Sequence, residues 1–228
     1  MIGYDNLAHN HQILLDLPFR EAAGTITHDE AKPHHQDVAL VNAPTWESLV
    51  SGLGVLDFDG VNQHLALPFA DCVDLDFTIG DYSLGCWFYV EPGLSQMLMC
   101  RFQLDVSGWE LYHFTNLILS LRHSHAGGVA TRTSCYSTGW ANNTWHFMGI
   151  SRTGGGQAVH YRNGVPLVTT SALEDPETGN QNLYIAAGAG GAQNFVEGKL
   201  WRPRAWNRVV TEPEWAQIFA YERHWFGV

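Results

Sequence analysis

The chain has 228 residues, a net charge of −11, 45% apolar and 15% charged residues. That length fits one large domain or two small ones and buries a core without disulfide or metal staples, while the composition excludes a disordered chain. No run approaches the roughly 20 apolar residues of a membrane-spanning helix, and the opening residues lack the basic and apolar blocks of a secretory leader, so export by that route is not expected. The acid excess is local: residues 1–81 carry thirteen Asp and Glu against Arg20 and Lys32, and the remainder is balanced. Nucleic-acid binding rests on clustered cations, so this pattern argues against it. Arginine outnumbers lysine ten to two, a bias suited to bidentate and stacked contacts.

In chain order, residues 1–12 read as an N-terminal arm and 13–228 as a single domain. Alternating strand patterns cover 53–59, 82–90, 97–103, 109–114, 117–123, 144–152, 158–162, 165–170, 183–187 and 195–201. In the 82–90 run Leu84, Cys86, Phe88 and Val90 share one face and Trp87 and Tyr89 the other, before a Glu91-Pro92-Gly93 turn. Asn163-Gly164 marks a tight hairpin because both residues accept φ > 0, and Gly154-Gly155-Gly156 joins another strand pair. Many short strands with turns every 8–15 residues predict an all-β fold, a two-sheet antiparallel sandwich or jelly roll. One helix is expected, at 211–222. Thr211-Glu212-Pro213-Glu214 forms a capping box with Pro in the first turn, and Trp215, Ile218 and Phe219 make its apolar stripe. The apolar end 225–228 packs under that helix or meets a partner. Cys72, Cys86, Cys100 and Cys135 lack zinc-site spacing and read as reduced, structural thiols.

These landmarks resemble the laminin G-like (concanavalin A-like lectin/glucanase) jelly roll, in the short form common in phage virion and bacterial surface proteins. The resemblance rests on the opening strand near Leu15-Asp16-Leu17 with its Glu21-Ala22-Ala23-Gly24-Thr25 turn, on Leu56-Asp57-Phe58-Asp59-Gly60, on Phe77-Thr78 followed by Cys86-Trp87-Phe88, on Asn143-Thr144-Trp145-His146-Phe147, on Tyr161-Arg162-Asn163-Gly164 and on Gly198-Lys199-Leu200. It implies a concanavalin A-like fold over residues 13–222 and, in relatives that bind calcium, carboxylates near the F-D-G turn and an acidic pair after the last-strand glycine. Here Trp201-Arg202-Pro203-Arg204 replaces that pair, which puts the family's calcium site in doubt. Asp57, Asp59 and Asn62, with Asp71, Asp74 and Asp76 nearby, are the remaining calcium candidates against a plain acidic loop, since Ca²⁺ needs six to eight oxygens. No cofactor is otherwise required.

Glycoside hydrolysis needs two carboxyls about 5–10 Å apart, and no strand carries the alternating acids that would share a face; Glu110 stands alone. The pairs His9/His11, His34/His35 and His123/His125 read as surface loop histidines rather than metal ligands, and His146 as a structural hydrogen-bonder. Jelly rolls recognise sugars by stacking aromatic rings on them while amides and charges take the hydroxyls. Trp109, Tyr112, Arg132, Tyr136, Trp140, Asn142 and Asn143 are the candidate ligand-binding residues. The expectation is a non-catalytic recognition or structural module, a virion decoration or tail subunit contacting glycans or neighbouring proteins and forming a homo-oligomer or assembly, located on a virion or extracellular surface. A free lectin-like adhesin is the alternative, and a glycoside hydrolase the third reading.

Overall fold

A computed structural model describes residues 7–31, 37–126 and 132–228; His34 and His35 lie outside them. The strands are β1 (Ile13–Asp16), β2 (Ile26–Thr27), β3 (Val38–Val41), β4 (Thr45–Ser48), β5 (Gly54–Asp59), β6 (His64–Leu67), β7 (Tyr82–Val90) and β8 (Gln96–Gln103). They continue as β9 (Ser107–His113), β10 (Ile118–Ser124), β11 (Arg132–Thr138), β12 (His146–Arg152), β13 (Ala158–Arg162), β14 (Val165–Pro166), β15 (Leu183–Ile185) and β16 (Glu197–Trp206), before helix α1 (Glu212–Glu222). The first sheet runs β14-β13-β12-β7-β16-β5-β4 with β1 also on β16; the second runs β11-β10-β9-β8-β15-β6-β3-β2. Their pairings are antiparallel, so the jelly-roll sandwich read from the sequence is the fold. Of the expected Val165–Thr170 run only the first two residues form a strand, and Thr170 bridges instead to Tyr136 of the other sheet. The last strand reaches past Trp201 to Trp206.

The alternation in β7 explains how both faces of the first sheet become buried. Phe88 faces the sandwich interior against His113 and Trp140, whereas Trp87 faces outward and stacks on Phe226 at 4.0 Å and Phe219 at 5.8 Å. The helix and tail therefore roof the outer face. Paired Gly85 and Gly149 leave the notch that receives Trp215; a Cβ at Gly149 would stand 2.7 Å from the Trp215 ring. The tight hairpin holds as well: Asn163 and Gly164 have φ of 54° and 78°, and a Cβ on Gly164 would press on Ala216 of the helix.

The arginine bias has a structural outlet. Arg101, Arg152 and Arg204 are fully buried and each fastens a peripheral segment through a carboxylate: Arg101 with Asp76, Arg152 with Asp175, Arg204 with Glu222. Buried guanidinium groups are tolerable only when paired and hydrogen-bonded in this way. The four cysteines are free and buried; burial, partly offset by Arg204, pushes the Cys86 thiol up to about 12.

Candidate functional site

The residues proposed from sequence do not form one site. Trp109 and Trp140 are fully buried core residues, their indole N–H groups donating to the Leu75 carbonyl at 2.9 Å and the Ser137 hydroxyl at 2.9 Å. Neither offers a ring face to a ligand: alternation turns Trp109 of β9 inward, and Trp140, in the loop after β11, packs into the same core. Tyr112 and Tyr136 share the outer face of the second sheet two strands apart, with Ser120 between them as the cross-strand neighbour of both. Tyr112 is nonetheless covered, with the Arg122 guanidinium 4.6 Å from its ring centre. Arg132, on the same face, is tied to Asp105 at 3.0 Å. Asn142 and exposed Asn143 lie in the turn before β12, the Asn143 N–H donating to the Val90 carbonyl.

The calcium candidates do not converge either. Burial alone would raise the Asp59 carboxyl, but backbone N–H groups of Val61, Asn62 and Gln63, at 2.9, 3.2 and 3.3 Å, occupy Oδ1 and hold it below its ordinary value. Burial raises the Asp57 carboxyl, with Lys199 opposing. The Asn62 carbonyl accepts from Asn42, and Asp76 is spent on Arg101, Thr178 and Gly179. Among the described residues no group of three or more His, Cys, Asp or Glu could hold a metal ion. This donor set does not fit calcium. His123, expected in a surface loop, is instead buried in β10, where it bonds the Tyr82 hydroxyl at 2.6 Å and the Glu174 carbonyl at 2.7 Å, and His146 bonds the Ala141 carbonyl.

A groove of about 540 Å³ opens elsewhere, between the β4–β5 hairpin, the segment after β1, and the end of α1. Its size is that of a small-molecule site. Trp46, Trp201, Tyr221 and Trp225 supply rings, and Arg20, Arg202, Glu47 and Glu222 supply charge. The local backbone explains how these side chains are aimed. Register shifts in β16 between Trp201 and Arg204, and Arg202 takes φ of 53°. Such a bulge re-aims side chains at the cost of strain, and positive-φ residues other than glycine gather at functional sites. Phe19 and Ala22, also in the groove wall, have φ of 54° and 58°. Trp46 is braced by its N–H on the Gly24 carbonyl at 3.1 Å and edge-on against Phe19.

Beneath the groove lies a fixed charge network. Arg202 clasps Asp16 through two bonds of 2.8 and 2.9 Å and reaches Glu222 at 2.9 Å. Glu222 accepts two further bonds from Arg204 and one from Trp87, at 2.9, 2.9 and 2.8 Å. Trp201 is 6% exposed and its indole N–H, a donor that a buried tryptophan normally satisfies, has no partner. The sequence reading missed this site, although its signal was present. The Trp201-Arg202 departure from the family's acidic pair supplies one wall, and the aromatic tail supplies Trp225. Phe226 packs under the helix, as one sequence expectation had it, while Trp225 remains 38% exposed.

Two antiparallel sheets of this strand order, roofed on one side by a helix, make a concanavalin A-like jelly roll. The family model described as the concanavalin A-like lectin/glucanases superfamily, laminin G type, matches residues 59–215, and the chain belongs to that family. No curated protein matches the chain. Among solved structures it is similar to the receptor-binding domain of botulinum neurotoxin D, with TM-score 0.70 and 13% identity over 94% of this chain and 54% of that one. It is also similar to the binding domain of botulinum neurotoxin DC solved in complex with rat synaptotagmin II, with TM-score 0.70, 12% identity and 94% and 52% coverage. A third likeness is to the structure described under "Cell entry of botulinum neurotoxin type C is dependent upon interaction with two ganglioside molecules", with TM-score 0.69, 10% identity and 93% and 51% coverage. The chain thus spans about half the length of the structures it matches, and at these identities the likeness is one of fold.

Proposed function

We propose that this chain is a non-catalytic recognition module that binds carbohydrate in the Trp46–Trp201–Trp225 groove. The observation that carries the reading is the groove itself, in which the Trp46, Trp201, Tyr221 and Trp225 rings stand beside Arg20 and Arg202. These rings cover the apolar face of a sugar, and the guanidinium groups meet its hydroxyls. Gangliosides and a protein receptor, bound by proteins of the same fold, are in keeping with it.

Hydrolysis is disfavoured by the same geometry. Paired-carboxylate chemistry needs an acid able to surrender its proton, but Glu47 is held by Lys199 at 2.7 Å and Glu222 by two arginines. Glu110, raised by burial to about 7 against the pull of Arg122 and Arg132, lies on the second sheet with Arg122 and Cys100 as its cross-strand neighbours, so it has no carboxylate partner there. The setting we propose, from the resemblance of the sequence motifs to virion and surface proteins, is a particle or cell surface where an oligomeric subunit meets glycans.

A glycan array probed with the chain and its Trp225→Ala variant tests the reading. We expect defined glycan signals that the variant loses with its melting temperature unchanged. An array without signals, or signals that survive the substitution, overturns it. Light scattering of the purified chain tests the oligomeric part, and reducing-end release from a polysaccharide panel tests the absence of catalysis.

A further inference from the structure

We propose that the groove is the central part of a longer track, and that its ligand is a linear oligosaccharide held by several consecutive units rather than by one terminal sugar; this rests on the carbohydrate reading above. Beyond Trp225 lies a second cleft of about 440 Å³, walled by Val50, Ser51, Trp145 and Phe226. Past Tyr221 lies a third, about 300 Å³, walled by His9, Asn10, Gln217 and Ile218. Trp225 is common to the first and second clefts, and Arg20, Arg202, Tyr221 and Glu222 are common to the first and third. The three hollows are therefore consecutive along one face.

The side chains that divide them are ridges rather than closed walls: Tyr221 keeps 78% of its surface and Trp225 keeps 38%. Each hollow also repeats one chemistry, a ring beside polar groups. Trp145 stands with Ser51 and His224, Trp46 and Trp201 with Arg20 and Glu47, and Tyr221 with Asn10 and Gln217. A pyranose has an apolar face and a rim of hydroxyls, so a repeating ring-and-polar lining suits a repeating sugar chain, whereas an acyl chain leaves the polar groups unmet.

Isothermal titration with cello-, xylo-, malto- and chito-oligosaccharide ladders, from disaccharide to hexasaccharide, tests this. In a ladder that binds, we expect affinity to rise by about tenfold or more along the series. Trp145→Ala and Gln217→Trp should each remove part of that rise while leaving the disaccharide's affinity as it was. Gln217 is exposed on the helix, so its substitution remains informative if Trp145→Ala weakens the tail. Disaccharide binding with no increase along the ladder, or an increase that survives both substitutions, overturns the track but leaves the groove reading intact. Binding by no ladder overturns both.

Discussion

Two tryptophans on neighbouring strands of the first sheet should respond oppositely once their shared loss of volume is subtracted. Trp87→Phe and Trp201→Phe remove the same atoms from sites that are 0% and 6% exposed, so their cavity terms largely cancel. What differs is the indole N–H. In Trp87 it donates to the Glu222 carboxylate at 2.8 Å, and a hydrogen bond to a charged group contributes about 1.5–3 kcal/mol. In Trp201 it has no partner, so its removal relieves a desolvation cost of about 1–3 kcal/mol. Trp201→Phe should therefore be more stable than Trp87→Phe by about 4 kcal/mol, roughly 12 °C in melting temperature at roughly 3 °C per kcal/mol for a chain of this size. Urea unfolding and calorimetry measure the gap. Equal melting temperatures would refute the assignment of an unsatisfied donor.

Other expectations follow from the same contacts. Gly149→Ala drives a Cβ into the fully buried Trp215 ring and should cost about 1–3 kcal/mol as overpacking, read by chemical denaturation; a neutral result would mean the helix sits off the Gly85–Gly149 notch. Burial lowers His123 to about 4 and His160 to about 3. Below the ordinary value of 6.5 the unfolded chain takes up protons the folded chain refuses, so this stability is intact above about pH 6.5 and is lost as pH falls toward those values. Replacing His160 with Gln should flatten that acid limb. Glu110 has the opposite sign: raised to about 7, it contributes most below its ordinary 4.5 and its contribution is lost as pH rises through 7, so Glu110→Gln should gain stability relative to the parent between about pH 5 and pH 8. Calcium at millimolar concentration should leave the melting temperature unchanged, since the Asp59 carboxylate is occupied by backbone amides; an upward shift would restore a calcium site.

The sandwich itself was legible because its signals are local. Period-two alternation over 82–90, the Asn163-Gly164 turn and the capping box at Thr211–Glu214, which forms as read, depend on residues within a few positions of one another. The short strands β2, β3, β4, β6 and β11 gave weaker patterns, and β11 was identified only once paired to β10. Alternation also says which residues share a face, not whether that face is solvent, core or roofed. Trp109, Trp140 and Trp225 look alike as letters, and the sheets and helix decided that the first two are sealed inside and the third lines a groove. The groove joins residues near 20, 46, 201 and 225, and Asp16, Arg202 and Glu222 meet beneath it across 186 and 20 positions of chain. A bulge in β16 brings them together, and no short-range pattern encodes where a strand far away in sequence will press against it.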